Sequence, residues 1–192
     1  RWIAFAYRAD PSDDWDIYMI NLNTREVRQI TSSPANERHP TFSPDGNWIA
    51  YQSDENGNWD IYKIPTTGGG AVQLTSSPDD ETDPCWSPIH NKIAYTGVVL
   101  GHKRIFTMND DGTNQQAVST GGGDPAADDI EPTWLWVQIG AVDQLNIVFA
   151  SNRLEPPGID AHREFNIFRM DENGEVGGAP AVLLTNKDPD DT

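Results

Sequence analysis

The chain repeats itself, and that constrains its fold more than any other property of its 192 residues. Ile3-Ala4-Phe5 returns as Ile49-Ala50-Tyr51, Ile93-Ala94-Tyr95 and Ile147-Val148-Phe149. Asp16-Ile17-Tyr18 returns as Asp60-Ile61-Tyr62, Arg104-Ile105-Phe106 and Asn166-Ile167-Phe168. Gln29-Ile30-Thr31-Ser32-Ser33-Pro34 returns as Gln73-Leu74-Thr75-Ser76-Ser77-Pro78, with weaker echoes at Ala117-Val118-Ser119 and Leu183-Leu184-Thr185. Pro40-Thr41-Phe42-Ser43-Pro44-Asp45-Gly46 returns as Pro84-Cys85-Trp86-Ser87-Pro88 and as Pro132-Thr133-Trp134. Three of the four markers are spaced 44 residues apart between their first two copies, and insertions around 121–132, 136–146 and 153–164 lengthen the later ones.

Each copy holds three or four short runs rich in Ile, Val and aromatics, closed by turn residues, which predicts a four-stranded antiparallel unit. The 14 Pro and 16 Gly fit a fold with many turns. Ser43-Pro44-Asp45-Gly46 suits a tight turn, because Pro pre-sets φ and Gly accepts a positive φ. One such sheet cannot bury both of its faces. Radial stacking of copies does so, and the fold class expected is all-β, a β-propeller of about four blades in one domain over 1–192, with units near 1–39, 40–83, 84–131 and 132–192.

The run P-x-F/W-S-P-D-G, then I-A-F/Y, D-I-Y and L-T resembles the TolB-type propeller repeat over essentially the whole chain. The first two copies match closely. The third has Ile89-His90 where Asp-Gly is usual, and the fourth has Leu135-Trp136-Val137 and lacks the Ser-Pro-Asp-Gly element. The Gly-His and Trp-Asp signatures of WD-repeat propellers do not fall at their expected places. The resemblance implies an extracytoplasmic protein, periplasmic or secreted, acting in assemblies of the bacterial cell envelope.

With strands lettered A (Pro-x-Trp-Ser-Pro), B (Ile-Ala-Tyr), C (Asp-Ile-Tyr) and D (Gln-Leu-Thr), the sequence opens at a B strand and holds four B–C–D sets but three A strands. Two readings follow: part of a larger propeller of about six to eight blades, or a four-bladed ring with a missing or borrowed strand. The unpaired B edge offers a route to self-assembly.

The net charge is −17, from 30 acids and 13 bases, which repels polyanions and argues against a nucleic-acid partner. In a meander the B–C and D–A connections share one end of the disc. Those segments, 97–103 apart, hold 22 acids and five bases, so they carry the whole net charge. An end this acidic attracts cations or a basic partner; acidic loops that only keep the protein soluble are the plainer explanation.

Candidate residues follow from that end. Glu37, Glu81 and Asp129 stand three residues before each strand-A Pro, and Asp191 holds the matching place in the last copy. His39, Asp83 and Glu131 stand immediately before each Pro. Strand A lines the channel of a propeller, so Glu37, Glu81, Asp83, Asp129, Glu131 and Asp191 are expected to ring its mouth as hard oxygen ligands suited to Ca²⁺. Trp15 and Trp59, with Asp54, Glu55, Asp79 and Asp80, form a candidate contact surface for a protein, peptide or glycan. Trp86 and Trp134 are expected between blades. Asp16 and Asp60 are expected to bond backbone in the preceding loop.

Catalytic signals are weak. His39, His90, His102 and His162 share no metal-ligand spacing. No G-x-S-x-G elbow occurs, and neither Gly68-Gly69-Gly70 nor Gly121-Gly122-Gly123 opens a helix that would cradle phosphate. Cys85 is the single cysteine, which excludes an intrachain disulfide. No apolar run reaches the roughly 18–20 residues of a membrane span. The expectation is a non-catalytic binding or scaffolding propeller. The alternative is the gating propeller of a prolyl-oligopeptidase-like or tricorn-type serine peptidase whose catalytic domain lies elsewhere.

Overall fold

A computed structural model describes residues 1–124, 126–139, 142–153, 165–172, 174 and 180–185. Its fifteen strands form four antiparallel meanders. The first sheet has three strands, β1 (Trp2–Tyr7), β2 (Asp16–Asn21) and β3 (Val27–Gln29). The second is β4 (Glu37–Phe42), β5 (Trp48–Ser53), β6 (Asp60–Pro65) and β7 (Val72–Gln73). The third is β8 (Thr82–Trp86), β9 (Lys92–Val99), β10 (His102–Asn109) and β11 (Gln116–Ala117). The fourth is β12 (Asp129–Ile139), β13 (Val142–Ser151), β14 (Asn166–Asp171) and β15 (Val182–Leu183). This is the arrangement of propeller blades that the repeats predict.

The markers fall where the fold needs them. In the second blade Ser43 accepts from Gly46 N–H at 2.9 Å, with Gly46 at φ 72°, and the Ser43 hydroxyl donates to Asp45 at 2.6 Å. That closes the hairpin between β4 and β5. In the Leu-Thr marker the backbone N–H of Leu74 reaches Ile61 O at 2.7 Å, while the Thr75 hydroxyl accepts from Ile61 N–H at 2.8 Å. Thr31, Ser119 and Thr185 accept from Ile17, Ile105 and Ile167 in the same way. The marker therefore ends each outer strand and satisfies one more backbone donor on its neighbour.

Cores lie between blades, not within them. Ile17 and Met19 of the first blade pack on Ile49, Tyr51, Tyr62 and Ile64 of the second. Ala50 and Ile61 of the second meet Trp86, Ile93, Tyr95 and Met108 of the third. Ile105 and Val118 of the third meet Ile147, Phe149, Phe168 and Met170 of the fourth. Each blade so has a front face turned to the blade before it and a back face turned to the blade after it. Trp86 and Trp134 pack at these junctions as expected, and the Trp134 indole N–H donates to Cys85 O at 2.9 Å. Gly112 keeps one junction tight: at φ 85°, a Cβ there would lie 2.8 Å from Leu74 O of the neighbouring blade.

Candidate functional site

Proline shapes the inner strands. Pro40, Pro84 and Pro132 have no N–H for the ladder. The β4–β5, β8–β9 and β12–β13 pairings slip at these points, between Arg38 and Thr41, Thr82 and Cys85, and Ile130 and Thr133. At each bulge the residue before Pro is forced into the left-handed region: His39 at φ 52°, Asp83 at 55° and Glu131 at 54°. None is Gly, and such a conformation costs a residue with a Cβ roughly 1–2 kcal/mol. A thrice-repeated device turns these three side chains together.

They meet in a recess of about 360 Å³ lined by His39, Pro40, Thr41, Asp83, Pro84, Cys85, Glu131 and Pro132. His39 Nδ1 lies 2.6 Å from Asp83 Oδ1. That hydrogen bond raises the imidazole pKa above its ordinary value, against the effect of its burial. Burial alone would raise the Asp83 carboxyl, but the bonds from His39 and Thr82, with the charges of His39 and Lys103, hold it below the usual range. Asp83 is thus ionised and paired. The Glu131 side chain is exposed at the edge.

Glu37, Glu81 and Asp129 do not join this ring, and this corrects the expected ligand set. The bulge separates them from the recess, and each is turned into a blade junction, with no more than 5% of its surface exposed. Glu37 accepts from the Thr31 hydroxyl at 3.0 Å and from Ser33. Glu81 accepts from Ser77. Asp129 pairs with the Arg153 guanidinium at 2.9 Å and accepts from Gly121 N–H at 3.1 Å. Asp191 lies outside the described residues. Asp83 and Glu131 remain, two carboxylates where Ca²⁺ takes about six to eight oxygens. Among the described residues no group of three or more His, Cys, Asp or Glu side chains is placed to hold a metal ion.

Asp16 and Asp60 also differ from expectation. They bond side chains across the blade, not backbone in the preceding loop: Gln29 Nε2 donates to Asp16 and Gln73 Nε2 to Asp60, both at 3.0 Å. Each then meets the next blade's acid, Asp16 with Glu37 and Asp60 with Glu81. Burial is the largest influence on all four and raises every one, Glu37 to about 7. Asp16 Oδ1 and Glu81 Oε2 are buried without a conventional donor, as expected where two carboxyls share a proton. The third junction replaces the pair with Arg104 and Asp129, the latter held by Arg153.

The candidate contact residues share the loop end of the disc. Asp79, Asp80 and Glu55 are exposed. Asp54 is tied to Asn36 by two bonds of 2.8 Å, and Asp80 accepts from Trp59 N–H at 3.0 Å. Trp15 and Trp59 are half-buried, with the Arg38 guanidinium 4.9 Å from one ring and 5.8 Å from the other, and Arg8 is 4.8 Å from Trp15. The loop end thus has an Arg–Trp layer beneath a fringe of carboxylates. The arginines were the part that sequence reasoning missed; Arg8 and Arg38 looked like two isolated bases in acidic segments.

The family model for the TolB beta propeller domain matches residues 3–135. No curated protein matches the sequence. A protein of Agrobacterium tumefaciens solved as a TolB is 24% identical, with a TM-score of 0.53 over 59% of this chain and 44% of its own. TolB from Acinetobacter baumannii is 17% identical, with a TM-score of 0.57 over 97% of this chain and 53% of its own. A puromycin-hydrolyzing peptidase of Mycobacterium tuberculosis is 13% identical, with a TM-score of 0.65 over 98% of this chain and 28% of its own. These likenesses show the fold. The chain spans about half the length of the TolB structures it matches.

Proposed function

The chain belongs to the TolB beta propeller domain family, and on that premise we propose that it is a non-catalytic, extracytoplasmic binding module whose acidic loop end receives a basic segment of a protein or peptide. The observation that carries this reading is the recess: three inner strands aim His39, Asp83 and Glu131 into one concavity. His39 offsets Asp83, which leaves the exposed Glu131 carboxylate to take a Lys or Arg side chain. Around it, Glu55, Asp79 and Asp80 supply a negative field that steers a basic partner toward the disc. A peptide fits better than a glycan, because Arg8 and Arg38 already lie over the Trp15 and Trp59 rings on which a sugar would stack.

A fluorescent oligolysine peptide tests this. Its affinity should fall steeply as salt is raised, since exposed charges are screened over about 10 Å at 0.1 M. Glu131→Gln should weaken binding about tenfold, in the range of roughly 1–2 kcal/mol for a lost charge-assisted contact. Binding that ignores both salt and Glu131→Gln would remove the basis for the reading.

A further inference from the structure

Arg38 stands at the acidic end of the disc without an anionic partner: among the described residues it forms no ion pair. Its guanidinium lies 4.9 Å from the centre of the Trp15 ring and 5.8 Å from that of Trp59. The two rings belong to adjacent blades that pack on one another through a shared core. Arg38 Nε is buried with no acceptor, and so is Nε1 of the Trp15 indole beside it. The buried guanidiniums are satisfied, by contrast: Arg104 donates to Lys103 O at 2.7 Å, and Arg153 pairs with Asp129 at 2.9 Å. Carboxylates of the adjoining residues are engaged already, Asp54 with Asn36, Glu37 with Thr31 and Ser33, and Asp80 with the Trp59 N–H. The fold does not call for a base here. The register that pairs Arg38 with Gln52 puts Thr82 opposite Thr96 and Ile130 opposite Ala150 in the next two blades.

Stacking on indoles uses the two faces of a guanidinium and leaves its N–H donors in the plane between them. Those donors form the fork that grips a carboxylate, and rings that fix its orientation beforehand lower the entropy cost of capture. We propose that Arg38, clamped by Trp15 and Trp59, is a carboxylate-binding subsite that takes an acidic group of the same partner segment whose basic side chain meets Glu131. The inference rests on the peptide-binding reading and sharpens it: the segment is not uniformly basic but carries an acid beside its base. The two subsites are close. The His39 pKa is raised chiefly by the bond to Asp83; the Glu131 charge raises it further and the Arg38 charge lowers it. Arg38 and Glu131 therefore act on one imidazole from within the reach of a short peptide. The carboxylate of such a peptide has two sources, its C-terminus or an Asp or Glu side chain, and both present the same planar pair of acceptors.

Fluorescence anisotropy with three labelled oligolysine peptides tests it: one ending in an amide, the same peptide ending in a free carboxylate, and an amidated one with a central Glu. General attraction to an acidic surface makes either added carboxylate weaken binding, because it lowers the positive charge of the peptide. The Arg38 subsite gives the opposite sign. At least one carboxylate-bearing peptide should bind about tenfold more tightly than the amide, and the one that does so names the source. Arg38→Gln and Arg38→Lys should each remove that gain, since neither keeps the planar fork. Their retained affinity for the amidated peptide shows that the variants are folded. If neither carboxylate improves on the amide, or if the gain survives Arg38→Gln, the subsite is overturned, and the peptide reading still stands provided the amide responds to salt and to Glu131→Gln. If no peptide binds at all, the reading and the subsite fall together.

Discussion

Glu37 shows how one carboxyl comes to set the pH response of a blade junction. Burial pushes its pKa from the ordinary 4.5 to about 7; Ser33 and Thr31 oppose this with hydrogen bonds, and the nearby Asp16 charge adds to it. The folded protein therefore holds a proton that the unfolded chain has released. Between pH 4.5 and about 7 the native state binds more protons than the unfolded state, so stability falls as pH rises. The stabilisation is complete below 4.5 and gone above about 7. Tyr51, on which the Glu37 charge also acts, is pushed up chiefly by its burial and stays neutral across that window. Glu37→Gln is neutral at every pH, keeps one acceptor oxygen for the hydroxyls, and offers an amide donor to Asp16 Oδ1. Its melting temperature should exceed that of the unmodified protein at about pH 8 by a few degrees and match it near pH 5, since about 1 kcal/mol moves a chain of this length by roughly 2–4 °C. Thermal melts across pH check this; equal displacement at both ends would show that packing, not the proton, governs the site.

At the scale of the strand, the Leu-Thr marker makes a sharper claim than its modest conservation of shape suggests. Thr75 is 1% exposed, accepts from Ile61 N–H and donates to Asp60 Oδ1 at 3.4 Å. Thr75→Val keeps the volume and leaves a buried N–H with one fewer acceptor, so it should cost about 1–3 kcal/mol. Urea unfolding that shows a loss well under 0.5 kcal/mol would mean the hydroxyl is incidental, an order-of-magnitude threshold set by ordinary surface substitutions. This hydrogen bond also explains why the strands were legible in the sequence. Each marker falls where local chemistry alone decides the outcome: a Pro and Gly turn, an alternating apolar run, a hydroxyl closing a strand. The bulges were not legible, because His39, Asp83 and Glu131 are ordinary residues that carry no signal for a positive φ. Pro predicts a broken ladder but not which way the preceding side chain turns. The displacement of Glu37, Glu81 and Asp129 from the rim into the junctions follows from that missing direction, and so does the pairing with Asp16 and Asp60, which joins residues on different blades.

For the molecule as a whole, the question is how much of the charge remains on the acidic end once the buried carboxyls are set apart. Glu37, Asp60, Glu81 and Asp129 are inside, three of them with raised pKa values and the fourth paired with Arg153. Asp10, Asp13, Asp14, Glu55, Asp79, Asp80 and Glu131 are exposed on the same end, where Arg8 and Arg38 are drawn down over Trp15. The field therefore survives the correction, although it is weaker than a count along the sequence suggests. Like charges gathered on one side of a disc repel in the folded state more than in an extended chain, and this repulsion opposes folding. Salt screens it, with the Debye length falling from about 30 Å at 0.01 M to about 8 Å at 0.15 M. The melting temperature should accordingly rise on going from low to physiological salt, and the rise should shrink when Asp79 and Asp80 are both changed to Asn. Most proteins held together by surface ion pairs respond in the opposite sense. Among the described residues the pairs with both partners well exposed are few, Arg28 with Glu26 at 2.6 Å, Glu172 with His90 at 3.1 Å and Lys92 at 3.9 Å, and His102 with Asp128 at 3.8 Å, and exposed pairs of this kind contribute little, so little attraction is lost when salt is added. A melting temperature that falls with salt would show that attraction outweighs repulsion on this surface, and the acidic end would then lose its standing as a source of steering.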